Sequence, residues 1–237
     1  MSLYVIADLH LPLGVNKPMD IFGGWDNYVE RLEYNWQRKI KPEDTVVIPG
    51  DLCWALKIEE SLPDFRFLER LNGRKLLIKG NHDLWWGTAK KVNDFFEQND
   101  IKSVAIIFNS CEEYEGLGIC GTRGWVSESG EQADETVLAR EAGRLEASLC
   151  AAEAKGLKPV VFLHYPPIFI SSMNEPIIDV LKRHGITECF YGHIHGKMKH
   201  SYAFKGEKDG INYHLVSSDY LQFDPLDISY LVQSTKE

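Results

Sequence analysis

The chain lacks most features that would assign it at a glance. Its five cysteines, Cys53, Cys111, Cys120, Cys150 and Cys189, are odd in number and no two form a C-x-x-C pair. That excludes a disulfide framework and a zinc ribbon, and three of them sit in apolar runs as small core residues. No apolar run approaches the length of a membrane span. The first residues, Met1 to Asp8, have no basic stretch and soon meet an acid, so they do not read as a signal peptide. Cytoplasm is the expected compartment. Positive charge is also short: 26 Lys and Arg face 35 Asp and Glu, for a net charge of −9. That argues against long nucleic acid or an anionic membrane as partner, since either calls for basic stripes. It leaves a small phosphorylated substrate open, because two divalent ions bring about four positive charges to one site. Repeats, low-complexity segments and linkers are missing too, so residues 1–237 are expected to form a single domain.

What the chain does have is a series of short apolar runs that end in polar groups. Tyr4 to Ala7 ends in Asp8-Leu9-His10, and Thr45 to Ile48 ends in Pro49-Gly50-Asp51. Lys75 to Ile78 ends in Lys79-Gly80-Asn81-His82-Asp83, and Val160 to Leu163 ends in His164. Glu188 to Tyr191 ends in Gly192-His193-Ile194-His195. Helical spacing of apolar residues fills the gaps. Val29, Leu32, Trp36 and Ile40 predict one helix, capped by Asp26. A second is predicted over 59–72 and closed by Gly73, a third over 88–98, a long one over 131–154, and a short one over 176–183 capped by Asn174. Strand–helix alternation of this kind predicts a parallel α/β sheet with right-handed crossovers. Ligands in such sheets bind at the carboxyl ends of the strands, where all these polar groups lie. Residues 213–216 and 228–232 are expected to close the sheet as antiparallel strands.

Taken singly, each polar group is weak. An aspartate after a strand is usually a turn former, and a buried histidine is usually just hydrogen-bonded. Five strand ends carrying oxygen or imidazole donors are another matter. Carboxylates and imidazoles crowded at one sheet edge repel or go unsatisfied without a cation. Two imidazoles in H-x-H can turn to one point if the chain bends there, and Gly192 is expected to allow the bend. A donor set of imidazole, carboxylate and amide without thiolate suits Mn²⁺, Fe, Zn²⁺ or Ni²⁺ rather than Ca²⁺. There are more candidate donors than one ion takes, which predicts two metals and a bridging carboxylate.

The series D-x-H, G-D, G-N-H-D, H, G-H-x-H resembles that of the calcineurin-like metallophosphoesterases, in the small bacterial branch. The resemblance runs from Asp8 to His195. It implies a four-layer α/β/β/α sandwich with a dinuclear centre of two divalent or trivalent ions, manganese foremost. It also implies ligand roles: Asp8, His10 and His195 for one ion, Asn81, His164 and His193 for the other, and Asp51 for both. His82 would be the catalytic histidine, with Asp83 orienting it and raising its pKa. The implied chemistry is attack of a metal-bridging hydroxide on a phosphate mono- or diester, with His82 as general acid.

Two departures narrow the branch. No arginine follows Gly50-Asp51 in the pattern of the protein phosphatases, and Gly80-Asn81-His82 is followed by Asp83 instead of glutamate. Trp54, Trp85, Trp86 and Trp125 lie near the motifs and either wall a substrate pocket or fill the core beneath the loops. Arg123 either meets a substrate phosphate or pairs with Glu128 or Glu131. The competing functions are a nucleotide or nucleotide-sugar pyrophosphatase, or a non-catalytic metal-binding scaffold.

Overall fold

The structure, a computed structural model, describes residues 1–125, 134–170 and 172–233. Its first half alternates strand and helix: β1 (Leu3–Val5), α1 (Tyr28–Lys39), β2 (Thr45–Pro49), α2 (Leu62–Arg70), β3 (Arg74–Ile78), α3 (Ala89–Gln98) and β4 (Val104–Ile106). The second half continues with β5 (Glu112–Tyr114), β6 (Leu117–Thr122), α4 (Glu135–Glu153), β7 (Lys158–Leu163), β8 (Ile168–Phe169), β9 (Ser172–Met173), α5 (Glu175–Arg183) and β10 (Glu188–Tyr191). It ends with α6 (Lys197–Tyr202), β11 (Gly206–Lys208), β12 (Ile211–Leu215), β13 (Leu226–Asp227) and the short turn α7 (Tyr230–Gln233).

All of these strands but β8 and β9, which pair with each other, form two large sheets. One has the order β13-β1-β2-β3-β4, the other β11-β12-β10-β7-β6-β5. Every pairing within them is parallel except β13–β1, β11–β12 and β5–β6, which are antiparallel at sheet edges.

Side-chain alternation explains why the sheets stack. Along β1 and just beyond, Tyr4 and Ile6 pack under the helices α1 to α3, while Leu3, Val5 and Ala7 face the other sheet. On β7, Val160 and Phe162 face the first sheet, and Val161 and Leu163 pack under α4 and α5. A period-2 strand that is apolar on both faces must be covered on both. The outcome is helices, sheet, sheet, helices: the four-layer α/β/β/α sandwich. The sheets are also joined at one edge. Ala7 N donates to Val216 O at 2.8 Å, and Ser218 N and Oγ both donate to Ala7 O, at 3.0 and 2.6 Å.

Several sequence expectations are corrected. The strand near 213–216 is β12, which pairs parallel to β10 on one side and antiparallel to β11 on the other. Residues 228–232 do not form a strand: the antiparallel edge is β13, and the chain then turns into α7. A β-rich composition did not decide that segment, because Ile228 and Leu231 reach the inter-sheet core from a turn. Helix α1 is preceded by Asn27 in a left-handed conformation and not by an Asp26 cap. Asn174 does cap α5, accepting from Ile177 N at 3.2 Å. Helix α4 starts at Glu135 under an Asp134 cap, and residues 131–133 of the expected helix lie outside the described residues.

Phe162 and Phe190 stack between the sheets at 5.1 Å, both fully buried. Phe162→Ala is expected to cost about 3–5 kcal/mol. Urea unfolding monitored by circular dichroism checks this through a lower midpoint at unchanged slope.

Candidate metal centre

Every candidate donor of the sequence reading sits just past a strand. Asp8 and His10 follow β1, Asp51 follows β2, Asn81 follows β3, His164 follows β7, and His193 and His195 follow β10. Four of them hold left-handed backbone: Asp8 (φ 61°), His10 (φ 45°), Asp51 (φ 53°) and His193 (φ 71°). For non-glycine residues that conformation costs about 1–2 kcal/mol each. It is tolerated here because it turns each side chain off the strand toward a common point. The bend in H-x-H therefore falls on His193, not on Gly192. The glycine is needed for another reason: a Cβ on it would lie 2.5 Å from Asp8 Oδ2. Gly80 has the same role, since a Cβ there would press into the carboxylate and amide of Asp51.

The donors form two adjacent groups, Asp8 with His10 and His195, and Asp51 with His164 and His193; within each, the donor atoms lie within 4.8 Å of one another. Asp51 connects the two. Its Oδ1 accepts from His82 N at 2.7 Å, and its Oδ2 stands 3.7 Å from His10 Nε2 and 3.5 Å from His164 Nε2.

The hydrogen bonds fix which atoms are free to bind. His164 Nδ1 lies 3.1 Å from Pro49 O, and a carbonyl only accepts, so Nδ1 carries the proton. The Nε2 lone pair then faces Asn81 Oδ1 at 2.5 Å, acceptor against acceptor. The same Asn81 oxygen is 3.0 Å from His193 Nδ1. His195 Nδ1 donates to Asp219 Oδ1 at 3.0 Å, which turns Nε2 toward His10 Nε2 at 3.3 Å and Asp8 Oδ1 at 3.7 Å. His10 Nδ1 is buried with no hydrogen-bond partner. Acceptors converging on one another in a dry setting are the arrangement a cation satisfies.

Titration behaviour follows from the same crowding. Burial, with neighbouring Asp51 adding to it, pushes Asp8 up to about 8. Burial pushes Asp51 up to about 6, against the pull of His82 and its backbone N–H. Burial lowers His164 to about 3 and His193 to about 2, so both imidazoles are neutral at pH 7, the state in which imidazole binds metal. His10 is lowered as well, by burial and then by His195. His195 goes the other way. Burial lowers it, but Asp8, Asp219 and Asp51 together outweigh that and raise it.

The family model described as calcineurin-like phosphoesterase matches residues 1–197, a span that includes all seven donors. The chain belongs to the calcineurin-like phosphoesterases. This family is metal-dependent, and the two Asp/His groups are able to bind metal. Among solved structures, the phosphoesterase resembles the protein of unknown function AQ665 from Aquifex aeolicus, at 16% identity over 98% of both chains with a TM-score of 0.52. It also resembles phosphopantetheinyl hydrolase (PptH) from Mycobacterium tuberculosis, at 14% identity over 96% of this chain and 95% of that one, with a TM-score of 0.50. At such identities the likeness is one of fold. No curated protein matches the sequence significantly.

Around the donors of this phosphoesterase, the other expected residues divide. His82 stands beside them, its ring 5.6 Å from that of His10 and 4.5 Å from that of Trp54. Burial holds His82 below its ordinary value, Asp51 works against that, and Lys17 and His195 reinforce it. Trp54 stacks on His10 at 4.6 Å and has Lys17 Nζ 3.6 Å above its ring, so it borders the centre. Asp83 does not orient the His82 ring. Its carboxylate accepts from Gly80 N, Asp51 N, Leu52 N and Trp85 Nε1, at 2.7–3.2 Å, which uses its lone pairs to tie two ligand loops together. Nor does it raise His82, whose shift is downward. Trp85 and Trp86 are buried in the core under α2 and α3, at 3% and 5% exposure, so they form no substrate wall. Arg123 meets Glu141, at 3.5 Å, a partner the sequence reading did not consider; Glu128 and Glu131 lie outside the described residues.

Asp219 was missed. It accepts from His195 Nδ1 and from Gly196 N, at 2.8 Å, and stands 3.3 Å from His200 Nε2. His200 is thereby drawn inward instead of facing solvent, with 12% of its side chain exposed. The signal was available: Ser217-Ser218-Asp219 follows β12 just as the other acids follow their strands.

Removing a carboxylate that orients a ligand imidazole weakens metal binding by about 10–100-fold. Asp219→Ala should do so while leaving the fold intact, and titration calorimetry with Mn²⁺ checks it. The protons on Asp8, Asp51 and His195 must leave before these groups can bind an ion. Metal affinity should therefore rise with pH from 6 and level off above about 8, the value of Asp8. Calorimetry in buffers of different ionisation enthalpy should report proton release near pH 7, and a flat profile would contradict it.

Proposed function

We propose that this phosphoesterase hydrolyses an ester of a small phosphorylated substrate, a mono- or diester, with two bound transition-metal ions. The observation that carries this reading is the convergence of Asn81 Oδ1, His164 Nε2 and His193 Nδ1 beside the Asp8–His10–His195 group. Asp8, His10 and His195 would hold one ion, Asn81, His164 and His193 the other, and Asp51 would reach both. The donor set fits manganese, and also iron, zinc or nickel. Bound there, such ions supply Lewis acidity toward phosphoryl oxygens and make water a nucleophile at neutral pH.

The chain's own residues do the rest. His82 is held by its backbone N–H on Asp51 and by Trp54 against its ring, which limits its ring to the mouth of the centre. Its imidazole is the group placed to give a proton to the departing alkoxide. An anionic substrate beside it favours the charged imidazolium and offsets the lowering by burial. Asp83 keeps the Asp51 and His82 loops at fixed separation, a positioning role. The scaffold reading gains nothing, since every donor position is filled.

The test uses chelator-stripped protein and p-nitrophenyl phosphate. Activity should be absent, and should return on adding Mn²⁺. His82→Ala should then keep its metals and lose turnover by about 10²–10⁴-fold on an alkyl phosphate, and much less on p-nitrophenyl phosphate, whose leaving group needs no proton. Equal losses on both would overturn the acid role, and activity without metal would overturn the whole reading.

A further inference from the structure

Away from the metal centre, helices α4 and α5 bring a third set of metal-binding side chains together. Glu146, Cys150 and Glu153 are spaced by four and three residues on α4, so they share one stripe of that helix. His184 is the residue that ends α5, and its backbone N–H donates to Val180 O at 3.2 Å. From there its imidazole reaches the α4 stripe, with 9% of the side chain exposed. Nδ1 stands 2.7 Å from Glu153 Oε1, and Nε2 stands 3.0 Å from Glu146 Oε1. Glu146 also accepts the Arg183 fork, at 3.1 and 2.7 Å. The Cys150 thiol, between the two glutamates along the helix, is exposed. Donor atoms of Glu146, Cys150 and His184 lie within 4.8 Å of one another. Among the described residues, only this group and the two halves of the candidate centre meet that condition.

The arrangement holds more than an ion-pair cluster requires. Bridging α4 to α5 by charge needs only Glu146, Glu153, Arg183 and His184, and a thiol adds nothing to it. Cys150 brings a soft donor to imidazole and carboxylate, a mixed set that suits Zn²⁺ and Co²⁺. The spacing fits as well. Two ligands on one tetrahedral zinc, each at about 2.0–2.1 Å from it, stand roughly 3.3 Å apart. His184 Nε2 and Glu146 Oε1 are 3.0 Å apart. Glu153 meanwhile holds the other ring nitrogen, as the carboxylate behind a metal-bound imidazole does. Arg183 does not block Glu146, because a carboxylate has about four lone-pair sites and the fork takes two. Three protein ligands leave the fourth position to water.

We propose that Glu146, Cys150 and His184 form a further metal site, which takes one Zn²⁺-like ion and ties the end of α5 to α4. Glu153 is its positioning residue. The ligands come from two helices, so the folded chain binds the ion and the unfolded chain does not hold the site. None of these residues belongs to the candidate centre, and the site stands whether or not the proposed hydrolysis does.

Co²⁺ is the probe that tests it. A thiolate ligand gives bound cobalt a near-ultraviolet charge-transfer band. The candidate centre has no thiol among its donors, so the band reports this site alone. Chelator-stripped, reduced wild-type protein should develop the band on titration with micromolar Co²⁺. Cys150→Ser should lack it and, at an exposed position, should fold as the wild type does. Glu153→Gln should weaken the affinity read from the band by about 10–100-fold, and His184→Gln by at least as much. No band in the wild type, or a band that survives Cys150→Ser, would overturn the site. So would saturation only at millimolar Co²⁺, or an affinity unchanged in His184→Gln, since either means a solitary thiol binding the ion by itself.

Discussion

The site depends on the carboxylate of Asp51. One oxygen holds the backbone of His82, and the other stands between His10 from one sheet's loops and His164 from the other's. A charge in that position, buried and without a proton, is unfavourable by several kcal/mol unless something positive is shared with it. The surrounding loops are shaped to make such sharing possible. Gly80 lets the third loop touch Asp51, Gly192 lets the fifth touch Asp8, and Asp83 clamps the second loop to the third through backbone N–H groups. Four strained residues complete the arrangement. Free energy spent on strain and on desolvated carboxyls marks a site held for function and not for stability.

The four layers supply the stiffness this requires. Strands buried on both faces cannot shift register without exposing apolar residues, so their ends are fixed points. Ala7, Val216 and Ser218 join the sheets beside Asp8. Donors from both sheets therefore meet across a seam that is itself hydrogen-bonded. The rigid scaffold carries the loops, and the loops carry the chemistry.

The candidate centre gathers carboxylates and imidazoles able to bind cations in a chain whose net charge is −9. Cations held there would supply the local positive field that draws a phosphate to an otherwise acidic protein. Trp54 and Lys17 border this centre.

By itself, the sequence determined the alternation of strand and helix and placed seven candidate donors at strand ends, and the family it resembles implied the sandwich. Each donor is local in the chain, one or two residues past an apolar run, and strand ends on one edge of a parallel sheet must come together. It also determined the cap at Asn174, which acts within a turn; the second helix, by contrast, ends at Arg70 with Leu71 as its C-cap, three residues before the expected Gly73. What it left to the tertiary structure were pairings made at long range. Asp83 was within sight of His82 in sequence, yet its lone pairs go to the loop of Asp51, because the backbone N–H groups there had no other acceptor. Trp85 and Trp86 were near the motifs but turn under the helices, where their area is buried among Phe65, Phe95 and Phe96. Glu141 took Arg123, and Asp219 took His195, across separations of 18 and 24 residues that no local pattern encodes. The parallel direction of β12 was likewise set by its neighbour β10 and not by its own residues, since alternation reads the same in both directions.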